Sequence, residues 1–271
     1  MQLSRPARIA LRVAAGLGFA VIYVPLLLVV VNSLNPDRSA SWPPPSLTTH
    51  WWSVAWHNSG ARAALWVSVK AGLGASAIAL VLGTLIAFAV ARHRFFGRDT
   101  VSFVVVLPIA LPGIVTGIAL NSAFSTVLAP LGVGLGLFTV IVGHATFCIV
   151  VVFNNVVARL RRTSGSYEEA AMDLGADTFR AFVDVTFPLV RSALLAGGLL
   201  AFALSFDEIV VTTFTAGPGI ETLPIWIFEN MTRPQQAPVV SVVAAVLVLV
   251  SVVPIYAAQR LAGDTAGGSR V

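Results

Sequence analysis

The stretch YEEAAMDLGADTFRAFVDVTFP, Tyr167 to Pro188, interrupts an otherwise apolar chain and decides how the rest is arranged. Apolar residues recur in it at helical spacing, and Gly175 breaks the pattern. Charged residues are concentrated in it and just before it, at Arg161, Arg162, Glu168, Glu169, Asp173, Asp177 and Arg180. So many charges exclude it from a bilayer, so we predict a short amphipathic helical pair between two membrane spans.

The composition of the chain is that of a polytopic membrane protein. Of its 271 residues, 57% are hydrophobic and 11% are charged, whereas soluble domains carry about 25% charged residues. The predicted fold class is therefore all-α, with several transmembrane helices. Cys148 is the single cysteine and lies in an apolar run, so we expect neither a disulfide nor a metal site.

Six apolar runs are long enough to cross a membrane as helices. We predict a single transmembrane domain over 1–271, with spans at about 13–31, 63–91, 101–126, 137–158, 189–214 and 238–261. A cleaved signal peptide is the alternative for the first run, but its length of about 19 residues is long for one and no small-x-small site follows it. In the third run, Pro108 and Pro112 are expected to break the helix.

The basic residues predict the orientation. The side that holds the N-terminus carries thirteen of the seventeen Lys and Arg residues, and the opposite side carries three. Positive charge is retained on the cytoplasmic side, so we predict that both termini and residues 159–188, here named the charged loop, are cytoplasmic. The same distribution accounts for the net charge of +5 without a nucleic-acid partner.

The charged loop resembles the EAA loop of ABC-importer permeases. That loop follows the pattern EAA, three residues, G, nine residues, then I-x-L-P. In this chain Glu169-Ala170-Ala171, Gly175 and Val185-Thr186-Phe187-Pro188 stand at the same spacing. Val replaces Ile and Phe replaces Leu, which exchanges one apolar residue for another.

The resemblance implies a type I ABC importer permease (MetI-like) fold of six helices in the bacterial cytoplasmic (inner) membrane. It also implies a coupling helix docked on a separate ATP-binding subunit, through Glu169, Ala170, Ala171, Asp173, Gly175, Ala176 and Pro188. The chemistry of these residues agrees, because the two acids lie one helical turn apart and form an acidic face. Glycine permits the backbone turn between two short helices.

The partners implied are a sister permease, two copies of the ATP-binding subunit, an extracytoplasmic solute-binding protein and membrane lipid. The chain contains no G-x-x-x-x-G-K-[ST] phosphate loop. We therefore expect a transporter subunit rather than an enzyme, with no cofactor of its own and with ATP and Mg bound by the partner. A secondary transporter or a membrane-embedded enzyme is the alternative, and the first of these would not need the charged loop.

The later spans resemble the polyamine, or spermidine/putrescine, branch of these permeases. The segments ALSFDEIVVTTFTAGP (203–218) and ETLPIWIFENMTRP (221–234) carry that resemblance. LPIALPGIVTGIAL (107–120) and GHATFCIVVVFNN (143–155) resemble its putrescine-type sub-branch. Gly113 stands where other polyamine permeases often have an acid, so iron, sulfate or another small solute stays open as the cargo.

Asp207 and Glu208 lie inside the fifth predicted span, where a mid-bilayer charge costs at least about 2.5 kcal/mol. On a continuous helix, Glu208 shares one stripe with Ser205 and Thr212, so we predict that these three line the pathway of a cationic solute. Asp207 is expected to meet a buried polar partner or the sister subunit. The alternative is that the two acids fix helix packing.

Other polar residues also lie within the predicted spans. We interpret them as groups that form packing hydrogen bonds between helices: His144, Thr146, Asn121, Ser122, Asn154 and Asn155.

Overall fold

The computed structural model describes residues 4–38 and 41–250, and within them it contains helices and turns but no strand, as the all-α prediction requires. Helices α1 to α12 span Arg5–Asn32, His50–His57, Ser59–Arg92, Arg98–Ala110, Gly113–Val127, Leu137–Arg161, Ser166–Asp173, Thr178–Ala181, Phe187–Phe206, Val210–Thr215, Leu223–Asn230 and Ala237–Val250. A 3-10 turn, Ala129–Leu131, follows α5, and a π-helical turn, Phe182–Thr186, precedes α9.

Five segments of the described chain are long and apolar enough to cross a membrane. They are Arg5–Asn32, Ser59–Arg92, Gly113–Leu131, Leu137–Arg161 and Thr178–Phe206, and each overlaps a predicted span. The sixth predicted span begins as the shorter helix α12, and its residues 251–261 lie outside the described part. The count of six spans therefore stays a prediction.

The described chain separates into two compact units, one from residues 63–225 and one from the residues on either side of them. In the flanking unit, α1 has no buried residue. Asn58 after α2 donates from Nδ2 to Oε1 of Gln236 at 3.4 Å. The prediction of a single transmembrane domain stays a prediction.

Helix α6 is at the centre of the 63–225 unit. One face of it is fully buried at intervals of four residues, through His144, Cys148, Val152 and Val156. Glycines on its neighbours allow the backbones to approach closely. A Cβ at Gly83 of α3 would lie 2.9 Å from the carbonyl oxygen of Ile149, which is the small-residue packing typical of membrane helices.

Two predicted spans are broken within this unit. The third span breaks between α4 and α5, where Leu111 is extended and Pro112 stands at the N-cap of the next helix as predicted, whereas Pro108 lies inside α4. The fifth span also breaks, between Phe206 and Val210, and the prediction of a continuous helix there was wrong. The segments beyond the two breaks, α5 and α10, pack together, and Asn121 Nδ2 donates to the Phe214 carbonyl oxygen at 2.6 Å.

Candidate functional site

The charged loop folds as the sequence predicts, into two short helices around a glycine turn. Gly175 follows α7 with a φ of +93°, a left-handed conformation that glycine adopts without strain. Asp177 then caps α8 by accepting a hydrogen bond from the Arg180 backbone N–H at 2.8 Å. The π-helical turn leads into α9, and Pro188 lies in its first turn, where its missing N–H leaves no hydrogen bond unmade.

The outer surface of the charged loop is both acidic and apolar. Glu169, Ala170 and Asp173 of α7 are exposed, and Ala171 and Ala176 are half-buried. Two large apolar side chains follow, with Leu174 90% and Phe179 75% exposed. A patch of this kind is typical of a surface that binds a partner. The predicted coupling residues are therefore accessible in this chain.

Glu168 differs from its neighbour Glu169, although the sequence gives no sign of it. Its carboxylate forms an ion pair with Arg92 at the end of α3, with 3.0 Å between Nη2 and Oε1. The same oxygen accepts a hydrogen bond from the Thr186 hydroxyl at 2.9 Å. The Glu168 carboxylate therefore binds groups within the chain, while the Glu169 side chain is exposed.

The second candidate site is the break in the fifth span. Asp207 is exposed there, and the described structure gives its side chain no hydrogen bond. Glu208 is half-buried, and its Oε1 accepts a hydrogen bond from the Val211 backbone N–H at 2.9 Å. That bond satisfies a donor in the first turn of α10, so Glu208 acts as a helix cap.

A buried histidine of α6 holds the two sides of this break together. His144 Nδ1 lies 2.7 Å from the hydroxyl of Ser205 in α9, and its Nε2 lies 2.8 Å from the hydroxyl of Thr212 in α10. All three side chains are buried. The Thr212 hydroxyl is also 2.7 Å from the Glu208 carbonyl oxygen. The interpretation of His144 as a packing group agrees with this geometry.

The donors and acceptors of this network fit one arrangement of protons. If the Thr212 hydroxyl donates its single hydrogen to the Glu208 carbonyl, it accepts from His144 Nε2–H. The neutral ring then has an unprotonated Nδ1, which accepts from the Ser205 hydroxyl. A chain of three hydrogen bonds therefore runs from Ser205 of α9 through His144 of α6 to the Glu208 carbonyl oxygen in the break.

The structure brings together only part of the predicted pathway set. Ser205 and Thr212 do share a site, but their hydroxyl groups point to His144 and they are buried. Glu208 lies beside them in the break rather than on one continuous helical stripe. Asp207 is exposed and has no buried polar partner within the described residues of this chain, and its contact with the sister subunit stays a prediction.

The break is displaced from the middle of the spans. His144 lies about two turns, or roughly 10 Å, from the beginning of α6, whose other end meets the charged loop. The break therefore lies in the part of the bundle farther from the charged loop. A carboxylate is less costly here than at the bilayer centre, because charged groups near the ends of spans reach the interface.

Known proteins resemble this chain in sequence and in fold. Residues 79–263 match the family described as binding-protein-dependent transport system inner membrane component. The chain is 33% identical over 252 residues to the spermidine/putrescine transport system permease protein PotC of Escherichia coli K12, covering 93% of both chains. It is 34% identical over 225 residues to the putrescine transport system permease protein PotI of the same strain, covering 79% of this chain and 77% of that one.

A solved structure supports the fold independently. It is a chain from the crystal structure of a bacterial ABC transporter involved in the import of the acidic polysaccharide alginate. The TM-score is 0.72 at 17% identity, and the match covers 97% of this chain and 99% of that chain. A likeness at this low identity bears on the fold alone.

Proposed function

The chain belongs to the family of binding-protein-dependent transport system inner membrane components, and from this membership we propose that its importer carries a polyamine. It is a permease subunit of an ABC importer, and it forms part of the translocation pathway. The observation that carries the polyamine proposal is the 33% identity to PotC across 93% of both chains. Putrescine and spermidine are the first substrates to test.

The acid pair at the break gives this proposal a chemical basis. Polyamines carry several ammonium groups, and a carboxylate binds an ammonium group through charge-assisted hydrogen bonds. Glu208 uses one oxygen to cap α10, and its Oε2 has no hydrogen bond in the described structure. Asp207 is exposed beside it. We assign Glu208 to the pathway and Asp207 to the boundary with the sister permease.

Transport by the reconstituted complex tests the cargo. The chain is assembled in proteoliposomes with its sister permease, its ATP-binding subunit and its solute-binding protein, and uptake of radiolabelled putrescine, spermidine, sulfate and ferric iron is compared. We expect ATP-dependent uptake of one or both polyamines. Uptake of sulfate or iron without either polyamine would contradict the proposed substrate and leave the family unaffected.

We also propose that the charged loop docks on the separate ATP-binding subunit, which supplies ATP hydrolysis and Mg²⁺. The support is the exposed face that combines Glu169 and Asp173 with the apolar side chains of Leu174 and Phe179. Apolar anchors beside charged groups are the usual composition of a protein interface core and its rim. Docking here requires that the loop and both termini lie on the cytoplasmic side, as the basic residues predict.

Charge reversal on the exposed face tests the docking. Glu169→Lys combined with Asp173→Lys is expected to release the ATP-binding subunit from the purified complex. Asp184→Lys is the matched control, since Asp184 is an exposed acid of the same loop outside α7. Full retention of the ATP-binding subunit by the double variant would refute the assignment of this face.

A further inference from the structure

The contacts of Arg92 join three segments of the chain at one point. Arg92 is the last residue of α3, and its side chain is only 17% exposed. Its Nη1 donates to the Thr163 carbonyl oxygen at 3.1 Å, just beyond the end of α6. Its Nε and Nη2 donate to Glu168 of α7, at 3.2 and 3.0 Å. A cation at this position also interacts favourably with the negative end of the α6 dipole.

Glu168 extends this link to the fifth span. Its side chain is 26% exposed, so water screens the ion pair less than it would at an open surface. The Thr186 hydroxyl, which is almost fully buried, donates to the same carboxylate oxygen. Thr186 ends the π-helical turn and directly precedes α9. We name Arg92, Glu168 and Thr186 the clamp.

Aromatic contacts reinforce the clamp on its apolar side. The Phe88 ring, one turn before Arg92 in α3, packs edge-on against Phe182 with 5.8 Å between centroids. Phe182 in turn contacts Phe187 in the first turn of α9, at 6.4 Å. The same two spans are therefore joined to the charged loop by a polar contact and by an apolar one.

We propose that the clamp transmits movement of the charged loop to the second and fifth spans, with Glu168 as its positioning residue. This proposal rests on the docking of the charged loop on the ATP-binding subunit. The two acids of α7 then have separate tasks, because Glu169 faces outward for the partner and Glu168 fixes α7 to the spans. Packed elements linked in this way move as rigid bodies rather than deforming continuously.

Distance measurement between spin labels tests the rigidity of this link directly. Nitroxides are placed at Arg94→Cys, just after α3, and at Met172→Cys in α7, both at exposed positions. Cys148, the single native cysteine of this chain, is buried, and the partner subunits are used in cysteine-free form. Double electron–electron resonance is recorded on the complete complex in nanodiscs, without nucleotide and after trapping with ATP and vanadate.

In the wild-type background we expect one narrow distance distribution that is the same in both nucleotide states. Glu168→Ala and Arg92→Ala should widen it and shift it on trapping, with the double variant no worse than either single one. Arg92→Lys should recover part of the narrow component. Arg161→Ala, an exposed arginine in the last turn of α6, is the control and should change nothing.

Putrescine uptake per ATP hydrolysed provides a second readout. This ratio should fall by about 5- to 150-fold in Glu168→Ala, which is the range of changes that ordinary coupling free energies between two sites produce. The ATP-binding subunit should stay bound. Thr186→Val keeps the side-chain volume and should give a smaller loss. Unchanged distance distributions in both clamp variants would overturn the proposal.

The outcomes also separate this proposal from the ones on which it rests. Loss of the ATP-binding subunit from Glu168→Ala would mean that Glu168 serves docking or folding and would overturn the clamp. Retention of that subunit by the charge-reversed α7 face would refute the docking site instead. The distance readout needs no transported solute, so it stands even if putrescine is not the cargo.

Discussion

Removal of the His144 side chain should destabilise the chain and change the geometry of the break in the fifth span. The ring makes hydrogen bonds of 2.7 and 2.8 Å to Ser205 and Thr212, on opposite sides of the break. Two substitutions separate its contributions. His144→Leu removes both hydrogen bonds while it keeps an apolar side chain of similar size, and His144→Ala removes the volume as well.

The expected magnitudes follow from the burial of this site. A hydrogen bond between membrane helices contributes about 0.6 kcal/mol on average and at most about 1.7 kcal/mol, so the loss of two should cost about 1–3 kcal/mol. Truncation of a large buried side chain to alanine typically costs about 2–5 kcal/mol through the cavity it leaves. We therefore expect a loss of about 1–3 kcal/mol for His144→Leu and of about 3–8 kcal/mol for His144→Ala, the sum of the two contributions.

Thermal unfolding of the purified complex in detergent measures these losses, with tryptophan fluorescence as the signal. A change of 1 kcal/mol shifts the midpoint of a chain of this size by about 2–4 °C. His144→Leu should therefore lower the midpoint by about 2–12 °C, and His144→Ala by more. Uptake measured below the midpoint should fall in both variants, because the Thr212 hydroxyl, which donates to the Glu208 carbonyl oxygen, loses the ring that fixes it.

The control is Thr146→Val on the same helix. The Thr146 hydroxyl donates only within α6, to the Gly143 carbonyl oxygen at 2.6 Å, so its loss should shift the midpoint by less than either His144 variant does. If His144→Leu unfolds at the wild-type temperature and transports at the wild-type rate, the histidine does not hold the break and the reasoning fails.

Three further changes test other parts of the structure. Glu208→Gln should reduce polyamine uptake about ten-fold or more, the effect of losing ~1.4 kcal/mol, whereas full uptake would remove Glu208 from the pathway. Gly83→Leu should destabilise the chain by about 1–3 kcal/mol in the thermal assay, because a Cβ at that position lies 2.9 Å from a backbone oxygen of α6. Gly175→Ala should cost about 1–2 kcal/mol, because its φ of +93° strains any residue with a Cβ, and it should weaken retention of the ATP-binding subunit. Gly134→Ala, at a position without this strain, is the control. Equal retention of the ATP-binding subunit by the two variants would refute the need for this turn.

The elements that follow local rules could be predicted from the sequence. The apolar runs located the spans, since a helix of about 20 apolar residues crosses a bilayer. Pro112 located the break in the third span, because proline removes a backbone donor, whereas α4 continues past Pro108 to Ala110. The charged loop and its turn at Gly175 followed from charge spacing and from the conformational freedom of glycine.

The break in the fifth span could not be predicted in this way. The segment Ala203–Thr215 contains neither glycine nor proline, so its sequence reads as one helix. Its break coincides with hydrogen bonds to His144, which is 61 residues from Ser205 and 68 residues from Thr212. Tertiary contacts of this kind override the helix propensity of the local sequence, and they cannot be predicted from a local sequence pattern.

The different roles of Glu168 and Glu169 were hidden for the same reason. Adjacent acids in one helical turn look equivalent in a sequence, and only the position of Arg92 distinguishes them. Both residues are compatible with an acidic face. The helix turns Glu168 towards the spans because adjacent residues point about 100° apart around a helix.

The ion pair between Arg92 and Glu168 can form only late in the synthesis of the chain. The two residues are 76 positions apart, so at about 5–20 residues per second the ribosome completes Glu168 roughly 4–15 s after Arg92. During that interval Arg92 has no Glu168 to pair with, and its charge is available to hold the end of the second span on the side where the basic residues predict the charged loop to lie. One arginine thus serves the insertion machinery first and the finished transporter afterwards, and the pair closes only when the fourth span has already been made.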